Sequence, residues 1–149
     1  MIRSAADLRQ AFDASFADPH PAAPGAQLGL LLVTVADTPY AIALDQVSAI
    51  HVDLRIGLVP SSERTLVGLA TVRNVIVPVH DLAVALGMRP QAADARWVVV
   101  TAAEPARAWA FDRLEAQVRI DAAARSGGSV EVAGQARRLL DLEELRHAA

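Results

Sequence analysis

Apolar residues along this chain fall into short runs separated by polar turn residues. The most distinctive pair of runs is 66–72 and 75–79, both rich in β-branched residues, which meet across one polar step, Arg73-Asn74. That pattern predicts two strands and a tight turn, because Asn tolerates the left-handed backbone such turns need. Pro78 removes a backbone donor, so its strand is expected at a sheet edge, or else the proline sits where no ladder bond is required. Asp81 then leads into Leu82, Val84, Ala85 and Leu86, a short helical turn with Asp81 as its cap and Gly87 as its stop.

The rest of the chain reads in the same way. Ile2, Ala5, Leu8, Phe12 and Phe16 repeat at helical spacing, which predicts an amphipathic helix over 3–17, with Ser4 as N-cap. Two readings of it stay open: a helix packed on the domain body, or an arm that docks a partner. Pro19, Pro21 and Pro24 stiffen the linker that follows, so 1–27 forms one unit and 28–149 the main domain. Residues 28–36 are nearly all apolar, as in a strand buried on both faces. A turn at Asp37-Thr38-Pro39 and a strand over 40–44 make a hairpin. Further strands are expected around Val47 to Leu54 and over 56–60, 96–102, 107–111 and 114–120. A last hairpin joins 129–133 to 136–140, and a short helix over 141–146 is capped by Asp141. About ten short strands punctuated by turns imply an all-β barrel or pair of barrels. Parallel α/β is excluded, since no 10–15-residue helical pattern separates the strands.

Composition narrows the function. The 149 residues are 53% hydrophobic, enough for a sizeable core in one domain or two small subdomains. No apolar run approaches the ~18 residues of a membrane span, so direct membrane insertion is not expected. A net charge of −3 with interspersed signs argues against nucleic acid or an anionic membrane as main partner. The residues Met-Ile-Arg-Ser-Ala-Ala-Asp at the start lack a signal-type apolar stretch, which makes the cytoplasm the expected compartment. There is no cysteine, and His20, His51, His80 and His147 are not spaced as metal ligands. His80 and Asp81 are neighbours on a strand and point to opposite faces, so they make a poor dyad, and His80 reads as a satisfied strand histidine. Ser61-Ser62-Glu63 has no elbow glycines and reads as a loop. No catalytic, cofactor or metal site is expected. The positive inference is a binding module.

Several segments then resemble one family. Tyr40-Ala-Ile-Ala-Leu44, Val47-Ser-Ala-Ile50, Val59-Pro60, and Gly68 through Arg73-Asn74 and Pro78 to Asp81-Leu82 look like the CheW-like adaptors of bacterial chemotaxis. Trp109-Ala-Phe-Asp112 and Arg138-Leu-Leu-Asp141 resemble the family's later segments, so the likeness runs from Leu28 to Leu145. It implies an all-β fold of two packed five-stranded SH3-like barrels, flanked here by the N-terminal helix and a short C-terminal helix. It also implies a non-catalytic adaptor that ties the regulatory domain of a chemotaxis-type histidine kinase to the cytoplasmic tip of a chemotaxis receptor, and so to receptor arrays at the membrane.

The sequence departs from the family pattern at three places. Asn74 replaces a glycine after the arginine, Ala49 replaces a glutamate, and the stretch 126–134 is short, which suggests a trimmed barrel. A divergent adaptor binding one partner only is therefore an alternative. A small β-barrel ligand-binding protein or enzyme is the alternative from another class. Gly68, Pro78, Asp81 and Leu82 read as structural. The candidate partner-binding residues are Arg73, Asn74, Val47, Ile50 and Val52. Val47, Ile50 and Val52 are either core or contact. Arg73 either meets a partner or pairs with Asp81 or Asp112.

Overall fold

The computed structural model describes residues 26–91 and 95–148. The helix expected over 3–17 and the linker over 18–25 lie outside the described residues. Twelve strands run in the order β1 (Gln27–Val35), β2 (Thr38–Ala43), β3 (Val47–Val52), β4 (Gly57–Leu58), β5 (Leu66–Val72), β6 (Val75–Asp81), β7 (Trp97–Thr101), β8 (Ala108–Phe111), β9 (Arg113–Asp121), β10 (Arg125–Ser126), β11 (Ser129–Val132) and β12 (Gln135–Leu140). A one-turn helix, Leu82–Ala85, follows β6, and a helix Leu142–Ala148 follows β12.

The strands form two six-stranded sheets, ordered β10-β11-β12-β2-β1-β9 and β3-β7-β8-β6-β5-β4. In each, five strands of four residues or more are joined by a two-residue edge strand, β10 or β4. The outermost strands of each sheet are also consecutive in the chain. β9 reaches β10 through the turn Ala122–Ala124, and β3 reaches β4 through residues 53–56. Six flat strands would hold their edges about 24 Å apart, whereas a three-residue link spans at most about 14 Å. Each sheet must therefore curl until its edges approach, and the result is the expected pair of small barrels.

β1 serves both barrels. Leu30 and Leu32 point into the first barrel with Ala41 and Val130. Leu31, Val33 and Val35 point the other way, onto Ile42, Leu82, Val99, Trp109, Phe111, Leu140 and Leu142. That second set is the core between the two sheets. Trp109 and Phe111 are fully buried in it, each contributing roughly 4–6 kcal/mol of transfer free energy at about 25 cal/mol per Å². The apolar β5–β6 stem does not build this shared core. Ala70, Val72, Val77 and Val79 fill the interior of the second barrel with Val98, Val100, Ala108 and Ala110.

Two hairpins have matching tips. Ala36 and Asp37 turn between β1 and β2 with φ 48° and 68°, and Arg73 and Asn74 between β5 and β6 with φ 51° and 65°. Two successive positive φ values define a type I′ turn, whose twist suits a hairpin. The first turn thus sits one residue earlier than the sequence suggested, and Pro39 lies within β2, opposite Thr34. Strand β6 likewise is not an edge strand, since it lies between β5 and β8, but at Pro78 the β8 side is still open. Counting from the closing pairs Val35↔Thr38 and Val72↔Val75, both prolines occupy positions where N–H groups point away from the hairpin partner. The parallel neighbour on that side begins one residue later, at Tyr40↔Arg138 and at Val79↔Ala108. The missing donors cost no ladder bond.

The short stretch 126–134 loses no strand: it supplies part of β10 and all of β11, and the first sheet is complete. One end of that barrel is polar. Arg137, buried on β12, pairs with Glu115 at 2.6 Å and donates to the Val33 and Tyr40 carbonyls at 3.3 Å. The hydrogen bond from Arg137 holds the Glu115 carboxyl below the usual carboxylate range, against an opposing effect of burial.

Gly68 is required by close approach. A Cβ there would stand 2.1 Å from the Gly57 carbonyl oxygen and 2.9 Å from its carbon, both backbone atoms that cannot swing aside. Gly68→Ala is expected to cost about 1–3 kcal/mol. At roughly 4 °C per kcal/mol, thermal unfolding followed by circular dichroism resolves the loss. An unchanged melting temperature would show that β4 can move aside.

Candidate functional site

The β5–β6 hairpin outruns its sheet. β8 pairs with β6 only over Val79, His80 and Asp81, so Val75, Ile76 and Val77 have β5 on one side and no strand on the other. Inward residues Ala70, Val72 and Val77 are still buried. The overhang leaves Ile76 68% and Val75 58% exposed. Leu69 is exposed on the outer face of β5. On the next strand, Gly57 pairs with Leu69, and Leu58, opposite Gly68, is 81% exposed, with exposed Val59 after it. Leu69, opposite Pro78, and Ile76, opposite Thr71, share the outer face of the hairpin, whereas Val75, opposite Val72, and Leu58, opposite Gly68, have the other parity. Exposed apolar side chains on one face are a candidate for association.

Arg73 and Asn74 cap the overhang. Both are exposed, and among the described residues neither makes a hydrogen bond or salt bridge. The two acids weighed as partners for Arg73 are engaged elsewhere. Asp112 accepts from the Ala36 amide at the other tip, at 3.3 Å. Asp81, buried, accepts from the Ala83 amide at 3.0 Å, capping the one-turn helix, and from the Gln91 amide at 2.8 Å. The first hairpin tip is tied down; the second carries a free guanidinium above apolar surface.

The other candidate residues lie elsewhere on the barrel. Val47 and Ile50 are half-buried and pack against the core between the sheets. Val52 is 48% exposed at the end of β3. Through Val52↔Trp97 and Trp97↔Phe111 it stands level with the start of the helix after β6, at the far end of the sheet from Arg73. Ala49 packs against the interior of the second barrel. Leu58, Val59, Leu69, Val75 and Ile76 escape sequence reasoning because their runs look like buried strands. The short β8 leaves Val75 and Ile76 exposed, Leu69 stands on the outer face of β5, and Leu58 and Val59 lie on and after the edge strand β4.

Beyond this surface the chemistry is sparse. Among the described residues no cluster of three His, Asp or Glu is arranged to hold a metal. Two clefts of about 350 and 250 Å³ flank the C-terminal helix, with Arg138, Asp141 and Glu144 among their lining residues. Asp141 caps that helix, accepting from the Glu143 and Glu144 amides, while the Gln46 side chain takes the Leu142 amide. His80 and Asp81 do point to opposite faces, and only half of the His80 ring is satisfied, since Nε2 has no partner among the described residues.

Three comparisons with known proteins bear on this arrangement. The family model for the CheW-like domain matches residues 29–147. The fold is similar to the crystal structure of the scaffolding protein TtCheW from Thermoanaerobacter tengcongensis, with a TM-score of 0.70 over 80% of this chain and 92% of that one. Sequence identity to it is 16%, so the likeness is one of fold. No curated protein matches the chain.

The tip can be tested apart from the fold. Arg73 is held at φ 51°, which costs a side chain about 1–2 kcal/mol and glycine nothing, although glycine gives up more chain entropy. Arg73→Gly is therefore expected to leave the melting temperature within a few degrees of the parent. A loss above about 2 kcal/mol would mean that the guanidinium supports the fold.

Proposed function

The chain belongs to the CheW-like domain family, and on that premise we propose that it is a non-catalytic adaptor of chemotaxis-type signalling. In this reading it links the regulatory domain of a histidine kinase to the cytoplasmic tip of a receptor coiled coil. The observation that carries the reading is the overhanging hairpin. Its exposed Leu69 and Ile76 share the outer face and form a small apolar patch, with exposed Val75, Leu58 and Val59 nearby, and Arg73, unpaired among the described residues, stands at the tip. Contacts between domains are built this way, from a small apolar patch that excludes water and a polar rim that sets register and partner choice.

The remaining candidates fit a subordinate part. Val52 and Asn74 are exposed and available to the same or a second partner, whereas Val47 and Ile50 support the strand from behind. Among the described residues no helix is long and apolar enough to cross a membrane. The proposed place of action is the cytoplasmic face of receptor arrays, reached through protein contacts.

Co-sedimentation with receptor signalling tips and kinase tests the proposal. The parent chain is expected to pellet with both. Ile76→Asp places a charge in the apolar patch and is expected to weaken kinase binding tenfold or more, about 1.4 kcal/mol. Arg73→Ala is expected to weaken binding at an unchanged melting temperature. Retention by one partner alone would favour a competitor or localisation factor. Failure to bind either at tens of micromolar would sink the adaptor reading.

A further inference from the structure

The loop from β4 to β5 is fastened to the barrel by a buried histidine. His80 on β6 is 2% exposed. Its Nδ1 lies 3.0 Å from Thr65 Oγ1 and 3.6 Å from the Glu63 carboxylate. The ring leans on Trp109 across the β6–β8 ladder, centroids 5.1 Å apart. Among the described residues, His80 Nε2 and Trp109 Nε1 are both buried without a partner. Within the loop the Glu63 amide donates to Ser61 Oγ at 3.0 Å, and a backbone bond ties its end to β6, the Asp81 amide donating to the Thr65 carbonyl at 2.7 Å.

The hydrogen bonds have one consistent direction. With Thr65 Oγ1 donating to Glu63 at 3.4 Å, the hydroxyl oxygen accepts from a protonated Nδ1. Nε2 is then a buried lone pair with no partner among the described residues. Adding a proton there creates a charged, buried donor with no acceptor, which costs far more than a neutral ring. The charged groups facing the ring are Glu63, from the loop, and Arg107, just ahead of β8. β5 places Leu66 opposite His80, β8 contributes Trp109, and Asp81 turns to the other face. Burial is the main effect, Glu63 opposes it and Arg107 reinforces it, so His80 is held below the ordinary histidine range.

We propose that His80 is a proton-sensitive latch: neutral, it holds residues 61–65 against the second barrel, and protonated, it releases them. The sign follows from linkage. A base whose affinity for protons is lower in the closed state favours closure above its exposed value of 6.5 and loses that contribution as pH falls below it. The loop continues directly from Leu58 and Val59. Acidification therefore loosens one border of the exposed apolar surface. The latch does not depend on what that surface binds, because the loop itself is the readout.

Hydrogen exchange followed by mass spectrometry, corrected for intrinsic rates, measures opening of 61–66 between pH 7.5 and 5.5. Opening is expected to rise by up to about tenfold at pH 5.5, the limit for a group one unit below its exposed value, with no rise in β1. His80→Phe is expected to remove the rise. Loop opening independent of pH, or an equal rise in His80→Phe, would overturn the latch. Should that variant not fold, titration of the His80 ring by NMR in the parent chain decides. A midpoint below 6.5 supports the latch, and one at or above it overturns it.

Discussion

Strand β1 is the element on which both barrels depend. Nine residues long, it pairs with β2 and β9 and presents alternate side chains to two different cores. Strand geometry enforces this: successive residues point to opposite faces, so a strand between two packed layers must be apolar at both parities. Thr34 is the polar exception in the buried part, and its hydroxyl bonds Glu115, the partner of Arg137. The first barrel thus closes with an ion pair and satisfied carbonyls, which is how a buried charge becomes tolerable.

The second barrel contrasts with the first at its hairpin. Both hairpins turn through type I′ tips without glycine, and both place a proline just before a parallel neighbour begins. They differ in reach. Pro39 follows its tip by two residues, Pro78 by four. The longer overhang carries Val75 and Ile76 past the end of β8 and into solvent, while Asp112 ties the shorter tip to the body. Exposed apolar side chains on both faces of the overhang, below an arginine unpaired among the described residues, are the direct outcome.

The same corner holds the latch. β4 is only two residues long, and Gly68 admits its backbone so closely that no side chain fits. So short a strand is held mainly by its connections, one of which runs through Glu63 and Thr65 to His80. Exposed apolar surface and titrating group are thereby joined by a few residues of loop. That proximity turns a buried histidine from a packing detail into a means of regulation.

Much was legible from local pattern alone. The apolar parity of 28–36, the Arg73-Asn74 turn, the Asp81 and Asp141 caps and the all-β class follow from side-chain period, turn propensity and capping chemistry, which act within a few residues. The motif from Gly68 to Leu82 also indicated the family. What local pattern did not show was neighbourhood. Whether Ile76 is buried depends on where β8 ends, whether Pro78 harms the sheet depends on which strand lies beside it, and whether Arg73 pairs depends on where Asp112 is engaged. The role of His80 rests on Thr65 and Glu63 from the β4–β5 loop and Trp109 from β8, two segments distant from it in sequence. Exposure, pairing and protonation are set by what stands beside a residue in space, and only the tertiary structure decides that.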